Sequence, residues 1–311
     1  MLYIMLKHSF DLKPFSEVLI VILVNILIAN MIYEFVSSFI GNNIIGIIVY
    51  WILYTISICC LIYLLRRRYG WKLSDFGLTM KYLKKSILFG TVIIMPFILV
   101  EAMLVMMFYD SFIGNGQDNP FAGLNVFEGL ICAFIAYPIL SILWAEFHEE
   151  FRFRGYMQNL IGREYNSVVA FIGISIYFAL SHSFSHPEYN VLALVYLLFP
   201  AFIFGLEFLV YKNIVVTMTS HFWVNVIQVW VIAICYYFGL YAATVTILFI
   251  GGVFMYSLIR FRNILVGFTR ECMEYLRVEL KYYVYGILLG VLLLIYSYIV
   301  IVLRDILIQV M

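Results

Sequence analysis

Charge is what this chain has least of. Only 12% of its 311 residues are Asp, Glu, Lys or Arg, against about a quarter in soluble domains. Hydrophobic residues make up 65%. A chain of this size still exposes a large surface when folded, so a water-soluble fold would leave much of that apolar material in contact with water. The bilayer is the solvent that fits. An excess of one sign of charge is also missing: the formal net charge is +1, which argues against a nucleic-acid partner. Cysteine pairing is missing as well. Cys59, Cys60, Cys132, Cys235 and Cys272 lie mostly within apolar runs, which excludes a disulfide framework and a cysteine-based metal centre. No internal repeat or low-complexity segment is present.

Long apolar runs are abundant. About 20 apolar residues suffice to cross a hydrocarbon layer of about 30 Å as a helix. The runs predict helices near 16–40, 44–65, 86–109, 124–150, 166–186, 190–211, 214–238, 240–260 and 283–304. Unpaired backbone groups are too costly in lipid for other spanning structures except closed barrels. The expected fold is therefore an all-α polytopic transmembrane bundle with about eight or nine spans. It is read as a single integral membrane domain over 1–311, with a functional core at about 124–238. The breaks carry turn chemistry: Gly41-Asn42-Asn43, the polar loop from Asn115 to Pro120, and His186-Pro187-Glu188. The first run follows Lys7 and Lys13, is too long for a signal-peptide core, and has no clear small-x-small cleavage site. It reads as a retained anchor.

Basic residues collect in alternate loops. Arg66, Arg67, Arg68, Lys72, Lys81, Lys84 and Lys85 follow the second run. Arg152, Arg154 and Arg163 follow the fourth, Lys212 the sixth, and Arg260, Arg262, Arg270, Arg277 and Lys281 the eighth. The intervening loops contain no Lys or Arg. The positive-inside rule then predicts a cytoplasmic N-terminus and an outside C-terminus. The stretch 261–282 has the character of an amphipathic helix on the cytoplasmic surface. The isoleucine-rich composition and compact loops point to a prokaryotic plasma membrane.

Ionisable residues inside lipid cost about 2.5–3.5 kcal/mol each on insertion scales, so they persist where they are paired, hydrated or useful. Here they cluster. Glu146, His148, Glu149, Glu150, Arg152 and Arg154 lie at the end of the fourth run. Ser181 and His182 lie late in the fifth, and His221 and Asn225 inside the seventh. Glu150 and Arg154 are four apart and suited to an ion pair. Glu149 is turned about 100° from Glu150 and can face elsewhere. The turn near 163–166 lies about 15 residues after Glu149 and about 17 before His182, so an antiparallel pair would hold those two at similar depth. His221 lies closer to its own turn and matches that depth less well. A carboxylate and an imidazole can together take a proton from water. A second imidazole with an amide can donate to an oxyanion. These are the parts of metal-free amide hydrolysis.

The pattern Glu149-Glu150-x-x-x-Arg154, Phe178-x-x-x-His182, His221-x-x-x-Asn225 resembles the CPBP family, the CaaX protease and bacteriocin-processing membrane proteins. Phe204-Gly205-Leu206 through Lys212-Asn213-Ile214 is similar to the same family, and the resemblance covers about 145–226. It implies an intramembrane glutamic endopeptidase, free of metal and cofactor, acting on a membrane-associated or lipidated peptide or protein. It also implies that Glu149 and His182 activate water, that His221 and Asn225 steady the oxyanion, and that Glu150 and Arg154 orient the site. Glu146, His148 and Glu207 have no role in the pattern. His148-Glu149 begins like a His-Glu-x-x-His zinc motif, but Arg152 stands where the second histidine would be. A metal held by Glu149, His182 and His221 is still compatible with the spacing. Two other classes stay open: a non-catalytic scaffold or bacteriocin-immunity protein of the same fold, and a transporter using the carboxylates as a proton path. The absence of an inverted repeat speaks against the transporter.

Overall fold

The computed structural model of the protein describes residues 12–41, 44–107, 121, 123–185 and 191–310. Lys7, the Asn42-Asn43 turn, the Asn115–Pro120 loop and the His186-Pro187-Glu188 break lie outside the described residues. The described residues are almost entirely helical, and seven helices are long and apolar enough to cross a membrane. The helices are α1 (Lys13–Phe39), α2 (Ile44–Arg67), α3 (Leu83–Met107), α4 (126–164), α5 (Ser167–Ser185), α6 (Val191–Tyr211), α7 (Ile214–Arg260), α8 (Arg262–Tyr275) and α9 (Leu280–Val310). The expected all-α polytopic helical architecture is present.

The 47 residues of α7 would reach about 70 Å if straight, more than twice the hydrocarbon thickness. Gly239, at φ 78°, breaks it, a backbone conformation that side chains with a Cβ rarely adopt. The two arms, 214–238 and 240–260, are the two runs read separately in the sequence. The fourth apolar run, α4, behaves differently from expectation. It begins with a capping box, in which the Asn125 side chain accepts from Glu128 N and Glu128 accepts from Asn125 N, each at 3.0 Å. It was expected to end near 150 but continues to Glu164. Polar residues carry it onward because they find buried acceptors. Arg154 donates to Ala201 O at 3.1 Å and Gln158 to Gly205 O at 2.8 Å. Three stretches of α4 are π-helical: Cys132–Ala136, Ile142–Phe147 and Phe151–Gln158. Such widened turns are rare and occur mostly at functional sites.

The chain divides into two compact units. The first comprises 1–72, 152–205 and 278–311. Within it α5 packs along α9, joined by a buried hydrogen bond between the Tyr177 and Ser297 hydroxyls at 2.9 Å. Glu17 ties α1 to its neighbours by accepting from Arg66 at 2.8 Å and from Tyr156 at 3.1 Å. The second unit comprises 73–151 and 206–277. Its centre is the packing of α7 along α3. Gly90 lets the two backbones approach, since a Cβ there would lie 2.3 Å from Val216 O. Asn213 caps α7 by accepting from Val215 N at 3.0 Å, and its amide donates to Ser86 on α3 at 2.8 Å. Helix α8 occupies the basic stretch read as an amphipathic surface helix, with Cys272 buried and Arg262 and Arg270 exposed.

Candidate active site

In the second unit, α4 presents three carboxylates. Glu146 lies one residue before the end of a π-helical stretch, while Glu149 and Glu150 lie in the short α-helical segment His148–Glu150. The α-helical step between Glu149 and Glu150 sends them in different directions. Glu150 is fully buried, whereas the Glu149 side chain keeps 21% of its surface exposed. Helix α7 presents His221 and Asn225 one turn apart. His221 Nδ1 lies 3.0 Å from Glu150 Oε1, a hydrogen bond. Its Nε2 lies 3.9 Å from Glu149 Oε2, which is ion-pair range but too long for a hydrogen bond. The Asn225 amide nitrogen donates to Glu146 Oε1 at 3.0 Å. The second unit thus brings Glu149, Glu150, His221 and Asn225 together and adds Glu146 to them. The helical turn count that set His221 at a poorer depth was no obstacle to its meeting both carboxylates.

The position of α7 is fixed from several sides. Trp223 donates to Thr91 on α3 at 2.9 Å, and Trp230 to Ala133 O on α4 at 3.0 Å. Ser220, next to His221, meets both Gly90 O at 3.0 Å and the fully buried Glu207. One hydroxyl hydrogen faces two acceptors there. Either it is shared, or a protonated Glu207 donates to Ser220 while Ser220 donates to Gly90 O. Glu207, without a role in the sequence pattern, therefore helps anchor the turn that carries His221.

His182 lies in the first unit, on α5. Its Nδ1 lies 2.8 Å from Phe178 O. A bond to a carbonyl places the hydrogen on Nδ1 and leaves Nε2 as the acceptor nitrogen of the neutral ring. The Phe178 ring packs edge-on against the imidazole at 4.9 Å. Arg154, also in the first unit, lies over that ring at 4.2 Å and over Phe204 at 5.5 Å. Glu150 bonds His221 directly, and Arg154 buttresses Phe178, which holds His182.

Among the described residues, no three His, Cys, Asp or Glu side chains are grouped to hold a metal ion. His148, the start of the incomplete zinc motif, is buried. Sequence reasoning left Glu146 and Glu207 unassigned and missed their contacts with Asn225 and Ser220. The signal for both was an acid inside a strongly apolar run.

The architecture is that of an integral membrane protein with a cluster of carboxylates, an imidazole and an amide on two helices. Residues 131–227 match the family model described as Rce1-like, Type II CAAX prenyl endopeptidase Rce1-like. The matched segment contains Glu149, Glu150, Arg154, His182, His221 and Asn225, and agrees with the CPBP/CaaX protease resemblance read from the motifs. The match makes this segment similar to a membrane protease family, over just under a third of the chain. Comparisons with curated proteins and with solved structures returned no match.

Proposed function

We propose that the protein is a metal-independent intramembrane glutamic endopeptidase that cuts a peptide bond in a membrane-associated or lipidated substrate. The observation that carries the reading is the placement of Glu149 beside His221, with Asn225 one turn further, inside the protease-family segment. Glu149 keeps solvent access that Glu150 lacks, as a base that must reach water requires. In the proposed reaction Glu149, with His182, takes a proton from water as the water oxygen bonds to the scissile carbonyl carbon. His182 enters through the family pattern and through its Nε2 acceptor. The carbonyl oxygen becomes an oxyanion held by His221 and Asn225. Collapse of that intermediate breaks the C–N bond, and the proton held by the acid passes to the leaving amine. The N-terminus is proposed to be cytoplasmic in a prokaryotic plasma membrane, supported by the basic residues of alternate loops.

The test uses an internally quenched peptide ending in a prenylated CaaX sequence, the substrate class named by the family. Wild type and Glu149→Gln are compared with and without a chelator. The reading expects cleavage by wild type in both conditions and none by Glu149→Gln. Equal cleavage by both proteins removes Glu149 as the base. Loss of wild-type cleavage with chelator, restored by zinc, makes the protein a metalloenzyme. Binding of the peptide by wild type without cleavage favours the scaffold reading.

A further inference from the structure

Glu146 is unexplained by the reaction above, yet it touches one of its proposed participants. It is 1% exposed. Its Oε1 accepts from Asn225 Nδ2 at 3.0 Å. Its Oε2 is buried and has no hydrogen-bond partner among the described residues. Burying a carboxyl costs free energy unless a partner repays it, so packing alone gives no reason for this acid. The bond to Asn225 does.

An asparagine carboxamide has a donor end and an acceptor end of nearly the same shape. An oxyanion needs the donor end. A neighbouring carboxylate has only acceptors and selects the donor end of any amide that faces it. Nδ2 carries two hydrogens. One is taken by Glu146, and the other stays fixed in the carboxamide plane.

We propose that Glu146 is a positioning residue that locks the amide flip of Asn225, so that the second Nδ2–H is available to the oxyanion. This rests on the protease reading and assigns a third carboxylate of α4 to it. Glu146→Met removes the acceptor at similar length, and Glu146→Gln keeps one in its carbonyl oxygen.

On the prenylated CaaX peptide, Glu146→Met lowers kcat about 10- to 100-fold, below the full loss of an oxyanion donor, with KM unchanged. Glu146→Gln recovers much of that loss. In an Asn225→Ala background Glu146→Met has no further effect. Glu146→Met loses the bond to Asn225 and a little of its thermal midpoint with it, but stays folded at the assay temperature, and a kcat loss at unchanged KM separates positioning from a folding role. A second measurement needs no turnover. In protein carrying 15N-labelled asparagine, the Asn225 side-chain amide is assigned by its disappearance in Asn225→Ala. Its two hydrogens have well-separated shifts in wild type, and the separation collapses in Glu146→Met. Impaired Asn225→Ala with normal Glu146→Met overturns this inference alone. Wild-type turnover in Asn225→Ala overturns the oxyanion assignment beneath it. An unchanged amide spectrum in Glu146→Met overturns the lock whatever the activity.

Discussion

His221 Nδ1 and Glu150 Oε1 are joined by a 3.0 Å hydrogen bond, and the carboxylate is the fully buried member of the pair. The bond fixes the plane of the imidazole and leaves Nε2 directed to Glu149. Removing the carboxyl leaves a buried ring nitrogen without its acceptor.

Breaking a buried charged pair by deleting one member typically costs about 3–5 kcal/mol. Glu150→Ala is therefore expected to lower the thermal midpoint strongly and to abolish turnover. Glu150→Gln can still accept from Nδ1 through its carbonyl oxygen and should retain most of the stability with part of the turnover. Thermal unfolding of detergent-purified variants, read beside peptide cleavage, checks the order wild type, Gln, Ala. A Glu150→Ala protein with wild-type stability would show that the pair does not anchor α7.

The packing of α7 on α3 makes a second prediction. A Cβ at Gly90 would lie 2.3 Å from Val216 O and 2.8 Å from Thr219 Cβ. Both belong to a helix backbone or its root, so neither can yield without moving α7. Gly90→Ala is expected to destabilise by about 1–3 kcal/mol, the usual range for overpacking, and to reduce turnover because His221 moves with the helix. Gly252, on the far arm of α7, has nothing within 4 Å of an added Cβ. Gly252→Ala should be neutral or stabilising by up to about 1 kcal/mol. Equal effects of the two changes would refute the close-approach explanation.

The helices were legible in the sequence because lipid makes the apolar run itself the signal. Even the break at Gly239 was marked, since two spans cannot share one straight helix. The end of α4 was not legible. Arg154 and Gln158 look like the start of a loop until their acceptors, Ala201 O and Gly205 O, are known, and those lie 47 residues away in the chain. In the candidate site, the fixed spacing of motifs marked Glu149, His221 and Asn225. The partner of Glu146 could not be read, because its contact with Asn225 crosses 79 residues and depends on how π-helical turns rotate α4. The contact of Glu150 with His221 comes from another helix and leaves no periodic trace.

Arg154 lies over the Phe178 ring at 4.2 Å and donates to Ala201 O at 3.1 Å. A lysine keeps the charge but loses the planar fork that stacks and donates together. Arg154→Lys is expected to lose about 1–2 kcal/mol of stability, from a weakened cation–π contact of about that size when desolvated. Turnover should fall as Phe178 loosens its hold on His182. Phe178→Leu should lower turnover in the same direction, and the two changes should be less than additive because they act through one contact. Measured additivity in a double-mutant cycle would show that Arg154 and Phe178 act independently.

Outside the spans, Cys272 on α8 gives a prediction about pH. Burial, reinforced by the nearby Glu207 and Glu271 carboxylates, pushes its thiol from 9.0 up to about 12. The thiolate is the form that reacts, so a variant keeping Cys272 as its single cysteine should resist maleimide at pH 7.5 while folded and react once unfolded. The folded thiol holds its proton more tightly than the unfolded one. Its contribution to stability is therefore complete below pH 9 and is lost as pH rises from about 9 to about 12. Cys272→Ser, whose hydroxyl does not ionise in this range, should flatten that part of the stability profile. Rapid labelling of the folded protein at pH 7.5 would show that the thiol is open to water and that α8 does not bury it.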